Sequence, residues 1–224
     1  DLAVQGKLML AQDGEQEALL NRFMEIGAAC GVDDLTVMAP EDVKSLESEI
    51  SCKAALYSPS TAVVDTHALM LSYLGDAENA GATLALSSKV VGRGGDAGKT
   101  ILVQSEDGTQ LELEWRLLVN AAGLGARDIA KLYSNNRPDS VPDIFYAKGS
   151  FFSLSGKRPF DHIIVPLGAT IANGGSFTID PGGQGKFGPD LEWVEDRSYA
   201  VTPDSVSKFA SAIGTYWDGL DPSR

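Results

Sequence analysis

The residues of this 224-residue chain that suggest chemistry are its clustered glycines, its two histidines and one strand lysine. The stretch LLVNAAGLGARDIAKL, Leu117 to Leu132, passes from apolar residues through small ones into a helical pattern. A strand, a tight small-residue turn and a helix are the parts of a nucleotide-binding loop, because unpaired N–H groups at a helix start attract phosphate. Gly123 and Gly125 fit the first two positions of G-x-G-x-x-G, but the third falls on Asp128. A carboxylate there repels a pyrophosphate, so the stretch is not the dinucleotide fingerprint itself.

Other strings are weaker. GRGGDAGKT, Gly92 to Thr100, resembles a P-loop, but Arg93 stands where the first glycine is required and strand-like ILVQS follows instead of a helix. It reads as a hairpin loop. GGQGKFGPD has Phe187 where a calcium-binding nonapeptide needs Asp, and it occurs once, so it reads as a turn between strands. His67 and His162 have no ligand spacing around them, and no G-x-S-x-G elbow is present. Structural or surface roles are expected for both. Lys148 lies in YAKGSFF, where alternation puts it on one face with Tyr146 and Ser150, and Gly149 allows close approach of a ligand. A solvated strand lysine accounts for it equally well.

Composition narrows the partners. A net charge of −13 with no basic stripe argues against nucleic acid and against anionic lipid. Hydrophobic content of 43% and charged content of 22% suit an ordinary globular chain. No apolar run reaches membrane-spanning length and no signal peptide is visible; the expected location is intracellular, a bacterial cytoplasm or, in a eukaryote, the mitochondrion. Cys30 and Cys52 are too few and too far apart for a disulfide framework or a zinc site and read as two buried free thiols.

The elements that must position these residues follow from pattern. Strand-like VQGKLMLA precedes a helix with Asp13 as N-cap, Gln16 at the capping-box position and Gly31 at its end. Leu19, Leu20, Phe23, Ile26 and Gly27 share one face of it. Pro40-Glu41-Asp42 starts a second helix. KAALYS is a strand, Ser58 to Thr61 a turn, and a helix from about Asp65 carries Leu69, Met70, Tyr73 and Leu74 on its apolar side. TLALSSKVVGR and KTILVQSEDGTQLELEWRLLVNAAG supply strands, with an Asp107-Gly108 turn. From Ile144 the pattern is β, and a last helix begins with Thr202 and Pro203 and buries Val206, Phe209, Ile213 and Trp217. Without a βαβαβ rhythm, the expected class is α+β: a mixed sheet with packed helices.

Five strings in order carry a family resemblance: GKLMLA, ALYSPSTAVVDTHALM, LLVNAAGLGARDIA, YAKGSFFSLSGKRPF and SFTIDPGGQGKFGPDLEWV. Together they resemble the L-2-hydroxyglutarate dehydrogenases (oxidases) of the D-amino-acid-oxidase-like superfamily of FAD-dependent oxidoreductases, over essentially the whole chain. The resemblance implies a substrate domain over 1–60 and 140–224 and central FAD-domain segments over 61–139. It also implies a central fragment lacking the N-terminal glycine fingerprint and the C-terminal flavin segment, hence one expected to hold no FAD tightly.

The implied cofactor-binding residues are Val90, beside the adenine, and Ala121, Ala122 and Gly123 of the NAAG turn. The implied substrate side is Lys148, Ser176 and Thr178, expected on adjacent strands facing one pocket. The implied reaction oxidises a small 2-hydroxy acid, with L-2-hydroxyglutarate foremost and with quinone or oxygen as acceptor; the catalytic base stays unassigned. Other oxidases of the superfamily, or a non-catalytic binding module, are the alternatives. Two departures stand out. Ala62 and Val63 replace Gly and Ile of the family string, and GGSFTID puts Ser176 where relatives of the GVHLTLD type carry histidine. Serine can donate a hydrogen bond to a carboxylate but cannot serve as base or cation near neutral pH.

Overall fold

The structure, a computed structural model, describes residues 2–95, 99–134, 140–168, 174–201 and 206–221. The chain divides into two compact units, Asp1–Ser72 with Tyr146–Arg224, and Tyr73–Phe145. The mixed α/β character expected from the pattern is what the elements show.

The first unit is built on a seven-stranded sheet. Its strands in chain order are β2 (Lys7–Ala11), β3 (Thr36–Met38), β4 (Ala54–Ser58), β9 (Tyr146–Ser153), β10 (Ile163–Pro166), β11 (Phe177–Ile179) and β12 (Gly185–Val194). In space they run β3-β4-β2-β10-β11-β12-β9. β2 and β10 pair in parallel, and the other neighbours pair antiparallel. A separate ribbon joins β1 (Leu2–Val4) to β5 (Ala62–Val64).

Alternation sorts each strand onto two faces. Leu8, Leu10, Ala55, Ile164, Phe177 and Phe187 point to the first face. There they meet Val43 of α2 (Pro40–Leu46) and Phe209 and Ile213 of α5 (Val206–Ile213). An aromatic cluster fills the layer: Phe160 lies edge-on to Phe177 at 5.2 Å and to Trp217 at 5.3 Å, and Trp217 stacks on Phe187 at 6.0 Å. Such pairs add about 0.5–1.5 kcal/mol each beyond their area burial. Tyr216 is buried with its hydroxyl donating to Gly175 O at 2.7 Å, and burial pushes its phenol far above the ordinary range.

The second face carries Met9, Ala11, Ala54 and Leu56, packed against Leu20 and Phe23 of α1 (Gly14–Ala29). α1 starts as its sequence demands: Asp13 Oδ1 accepts from Gln16 N at 2.9 Å, and Gln16 Oε1 accepts from Gln12 N at 2.9 Å. The reciprocal bond lands on the residue before the cap, a shifted capping box. The expected apolar stripe is narrower than its periodicity implies. Only Leu20 is buried, while Leu19 and Ile26 are 43% and 49% exposed.

The second unit holds an antiparallel sheet of β6 (Ser88–Arg93), β7 (Thr100–Ser105) and β8 (Gln110–Glu114). β6 and β7 form the hairpin expected of the P-loop-like string, whose Gly98 lies outside the described residues. Asp107 and Gly108, with φ +85°, turn β7 into β8. α4 (Ala126–Leu132) packs on β6. Tyr133 anchors the end of α4, its hydroxyl donating to Thr100 O at 2.8 Å and its ring edge-on to Trp115 at 5.8 Å.

Three expectations change. The strand expected over LLVN does not form, and Leu117 and Val119 are 81% and 77% exposed. A strand needs a neighbour for its N–H and C=O groups, and among the described residues none lies beside this segment. α3 (Thr66–Asn79) has no buried residue, so the apolar side expected of it stands open at Met70 and Tyr73. Val206 is 38% exposed, although Phe209 and Ile213 are buried as expected. The N-cap expected at Thr202 and Pro203 lies outside the described residues.

Candidate active site

The sheet register decides which residues of the first unit can act together. Phe177 pairs with Phe187 and Phe187 with Phe152, so these three share the first face. Thr178, one residue on, pairs with Lys186 and points to the second face. Ser176 lies two residues before Thr178 at the entrance to β11 and is 9% exposed.

β12 carries an irregularity between Phe187 and Asp190, which consumes an extra residue relative to β9. Asp190 then pairs with Ser150 and Glu192 with Lys148. Asp190 lies against α5, since Lys208 of α5 pairs with it, so Lys148 belongs to the first face. Its ammonium is taken up by Glu192 Oε1 at 2.6 Å and by Ala200 O at 2.8 Å. The expectation that Lys148, Ser176 and Thr178 sit on adjacent strands facing one pocket is therefore corrected. β12 stands between β9 and β11, and Lys148 points away from Thr178.

The second face continues across β12 and β9 as exposed Phe151, Leu191 and Trp193. On its other half, beside α1, lies a cavity of about 230 Å³ lined by Lys7, Met9, Phe23, Leu35, Leu56 and Ser58. Ser58 is buried, its Oγ accepting from Thr61 Oγ1 at 2.9 Å. The SPST string that the sequence reads as a turn thus brings a hydroxyl pair to this face. Lys7 was not singled out by sequence, because a lysine after glycine at a strand start carries no distinguishing signal.

In the second unit the NAAG turn is held by Asn120. Its Nδ2 donates to Ala126 O at 2.8 Å and its Oδ1 accepts from Ala122 N at 3.4 Å. A 3-10 turn over Gly123–Gly125 follows, and Gly123 adopts φ +54°. Ala121, Ala122 and Gly123 are all exposed, and a Cβ added at Gly123 would meet nothing within 4 Å. A backbone with no side chain beyond Cβ and open space beside it suits close approach of a cofactor. Val90 lies on β6, the strand against which α4 packs, at the edge of a register shift. These small, exposed residues leave room for an FAD wall, while the Asp128 carboxylate in the first turn of α4 would repel a pyrophosphate at that helix start.

The two histidines behave as structure. His67 opens α3, where its N–H donates to the Asp65 cap at 3.0 Å. His162 Nδ1 lies 2.7 Å from Glu47 Oε1, which also accepts from Asp161 N and His162 N at 2.8 Å. Glu47 is 5% exposed and was missed by sequence reading, because its partners lie 114 and 115 residues away. The GGQG turn closes β11 onto β12, with Asp180 accepting from Gln184 N and pairing with Lys186 at 3.0 Å. The Lys186 contact first, then the Gln184 amide, hold its carboxyl below the usual range. Among the described residues no cluster of acids, histidines and cysteines forms a metal site, and no helix is long and apolar enough to cross a membrane.

Comparison with known proteins agrees with this architecture. The chain is 31% identical to the mitochondrial L-2-hydroxyglutarate dehydrogenase of Arabidopsis thaliana, over 96% of this chain and 53% of that protein. It is 25% identical to a glycerol 3-phosphate dehydrogenase of Caloramator mitchellensis, over 91% of this chain and 42% of that one. The chain thus spans about half the length of these relatives. Among solved structures, L-proline dehydrogenase from P. horikoshii superposes with a TM-score of 0.78 at 18% identity, over 98% of this chain and 57% of that one. The L-alpha-glycerophosphate oxidase of Mycoplasma pneumoniae with FAD bound gives 0.79 at 14% identity, over 99% and 59%. The model of the FAD dependent oxidoreductase family matches residues 1–224, and the chain belongs to that family.

Proposed function

We propose that this chain belongs to a flavoprotein that oxidises a short 2-hydroxy acid to the 2-oxo acid, with L-2-hydroxyglutarate as the favoured substrate. The 31% identity to an L-2-hydroxyglutarate dehydrogenase over nearly the whole chain is the observation that carries this reading. In it, residues 1–60 and 140–224 handle substrate and residues 61–139 contribute to the FAD domain. Ala121, Ala122 and Gly123 would form a side-chain-free wall of the FAD site, and Val90 would pack beside the adenine. FAD, when bound, supplies the acceptor for the hydride leaving the α-carbon. The chain's own task is to bind the acid and fix its orientation, which lowers the entropic part of the barrier.

On the second face of the seven-stranded sheet, Ser176 and Thr178 offer hydroxyl donors to the carboxylate and hydroxyl of the acid. Neither can accept the hydroxyl proton at neutral pH, so the base is a group outside this pair. Lys148 has no part in the reading, since Glu192 neutralises it on the other face.

The test is anaerobic mixing of the FAD-loaded full polypeptide that carries this chain with L-2-hydroxyglutarate. Rapid loss of the oxidised-flavin absorbance is expected. A polypeptide that stays colourless and cannot be reconstituted with FAD would overturn the flavoprotein reading. Glycerol 3-phosphate belongs in the same panel, because one relative and one solved structure bear that substrate's name. Bleaching by it and not by hydroxy acids would reassign the substrate. Ser176→His, made in the same polypeptide, asks whether the departure at that position alters substrate preference.

A further inference from the structure

Ser176 and Thr178 carry no charge and Lys148 faces the other way, so the proposed site as described has no cation for an acid. The register supplies one. Ser58 pairs with Lys7, and Lys7 with Ile163. Ile163 is one residue before the Ile164–Phe177 pair and so stands opposite Thr178, which pairs with Lys186. Directly opposed residues project to the same side of a sheet. Ser58, Lys7, Ile163, Thr178 and Lys186 therefore form one transverse row across the second face, with buried Ile163 as the apolar floor between Lys7 and Thr178.

The two lysines of that row differ. Lys186 is matched by Asp180 at 3.0 Å, which cancels its charge locally. Lys7 is partly covered, and among the described residues no carboxylate pairs with it. A half-buried lysine with no carboxylate partner can attract an anion that reaches its ammonium. Its surroundings strengthen the contact, because Met9, Leu56 and Phe23 wall the adjoining cavity and lower the local dielectric.

Spacing sets the length of the ligand. Strands lie roughly 4.8 Å apart, so Lys7 and Thr178, two strands apart, have Cα atoms about 10 Å from each other. The four-carbon stem of lysine extends roughly 6 Å and lets the ammonium sweep much of that gap. A chain of a few carbons with a carboxylate at each end fits between the ammonium and the threonine hydroxyl. We propose that Lys7 anchors the distal carboxylate of a short 2-hydroxydicarboxylate whose hydroxy-acid end lies against Ser176 and Thr178. Lys7 is then the residue that selects dicarboxylates over monocarboxylates. This rests on the 2-hydroxy-acid reading of the same face and adds the group that sets its substrate class.

The experiment uses the FAD-loaded full polypeptide with Lys7→Met and Lys7→Arg. Glutarate and butyrate, which carry no oxidisable hydroxyl, are titrated against each form by calorimetry. L-2-hydroxyglutarate and L-2-hydroxybutyrate are compared by kcat and KM, and flavin content and melting temperature check folding. Losing one charged hydrogen bond weakens binding by about tenfold or more. Lys7→Met should therefore weaken glutarate and raise KM for L-2-hydroxyglutarate by that factor. Its kcat should stay within about twofold, as expected when a uniform binding contact is lost. Butyrate and L-2-hydroxybutyrate should be unaffected, and Lys7→Arg should restore most of the loss. Unchanged glutarate binding in Lys7→Met, or an equal loss for glutarate and butyrate, overturns the assignment. If the wild type oxidises no 2-hydroxy acid yet binds glutarate through Lys7, the functional reading fails and the anchor stands. If it oxidises L-2-hydroxyglutarate and Lys7→Met behaves as wild type, the anchor fails and the functional reading stands.

Discussion

Removing the Glu47 carboxylate tests the junction that seats the parallel pair at the centre of the seven-stranded sheet. Glu47 ends α2, its N–H donating to Val43 O at 2.8 Å, and its side chain turns into the loop before β10. One oxygen, Oε1, receives Asp161 N at 2.8 Å, His162 N at 2.8 Å and the His162 Nδ1 contact at 2.7 Å. The next residue, Ile163, donates to Gly6 O at 3.1 Å and opens the β10–β2 ladder. Gly6 holds φ +69°, with His162 only 3.0 Å from where its Cβ would lie, so the loop has little room to shift.

Glu47→Ala leaves two backbone N–H groups and one ring nitrogen without their acceptor. Each unsatisfied buried group costs about 1–3 kcal/mol. His162 is 18% exposed at its side chain, so water can reach part of the site, and the lower half of that range applies. The loss is then about 3–6 kcal/mol, comparable with breaking other buried charged contacts. For a chain of this size each kcal/mol moves the midpoint by about 2–4 °C, so thermal unfolding followed by circular dichroism should shift down by about 6–24 °C. Glu47→Gln keeps the acceptor oxygen and loses only the charge assistance, at about 1–2 kcal/mol. A Glu47→Ala protein that melts within about 2 °C of wild type would refute the reasoning, because the three contacts would then contribute nothing net.

Two further outcomes follow from charge and burial. Backbone donation from Ala68 and His67 holds the Asp65 carboxyl below its ordinary range at the start of α3. A carboxyl depressed on folding stabilises above its unfolded pKa and loses that contribution as pH falls through its folded pKa. Asp65→Ala should therefore lower the melting temperature at neutral pH, with the difference from wild type closing in acid; a difference independent of pH would remove the charged cap as its cause. Burial raises the Cys52 thiol, with Lys44 opposing more weakly, while Cys30, expected from the sequence to be buried, is exposed just past the end of α1. A thiol-specific reagent followed by mass spectrometry should modify Cys30 first and Cys52 only on unfolding, and equal rates in the native state would contradict the burial.

Much of the local structure was legible because its causes lie within a few residues. Asp13 and Gln16 start α1, Asp107-Gly108 turns β7 into β8, and GGQG turns β11 into β12, all through bonds that span four residues or fewer. The NAAG turn is of the same kind, since Asn120 holds it from six residues away. The order of the five strings likewise sufficed to indicate the family that now holds the chain. Periodicity was less dependable for helices: it marked an apolar side on α3 but could not tell whether anything described would cover it.

What the sequence could not determine was anything set by pairing over long separations. Alternation correctly grouped Lys148 with Tyr146 and Ser150, but its side relative to Thr178 depends on the register through β12 and on the irregularity between Phe187 and Asp190. LLVN has strand composition and no strand, because a strand exists only where a neighbour accepts its hydrogen bonds. The partnership of Glu47 with His162 and the alignment of Lys7 with Thr178 arise only when β2 meets β10, more than 150 residues later in the chain. The sequence by itself determined the turns, the caps and the kinship. Tertiary pairing alone decided which face each charge occupies, because opposite faces of a strand differ by one residue and only the neighbouring strand fixes that residue's place.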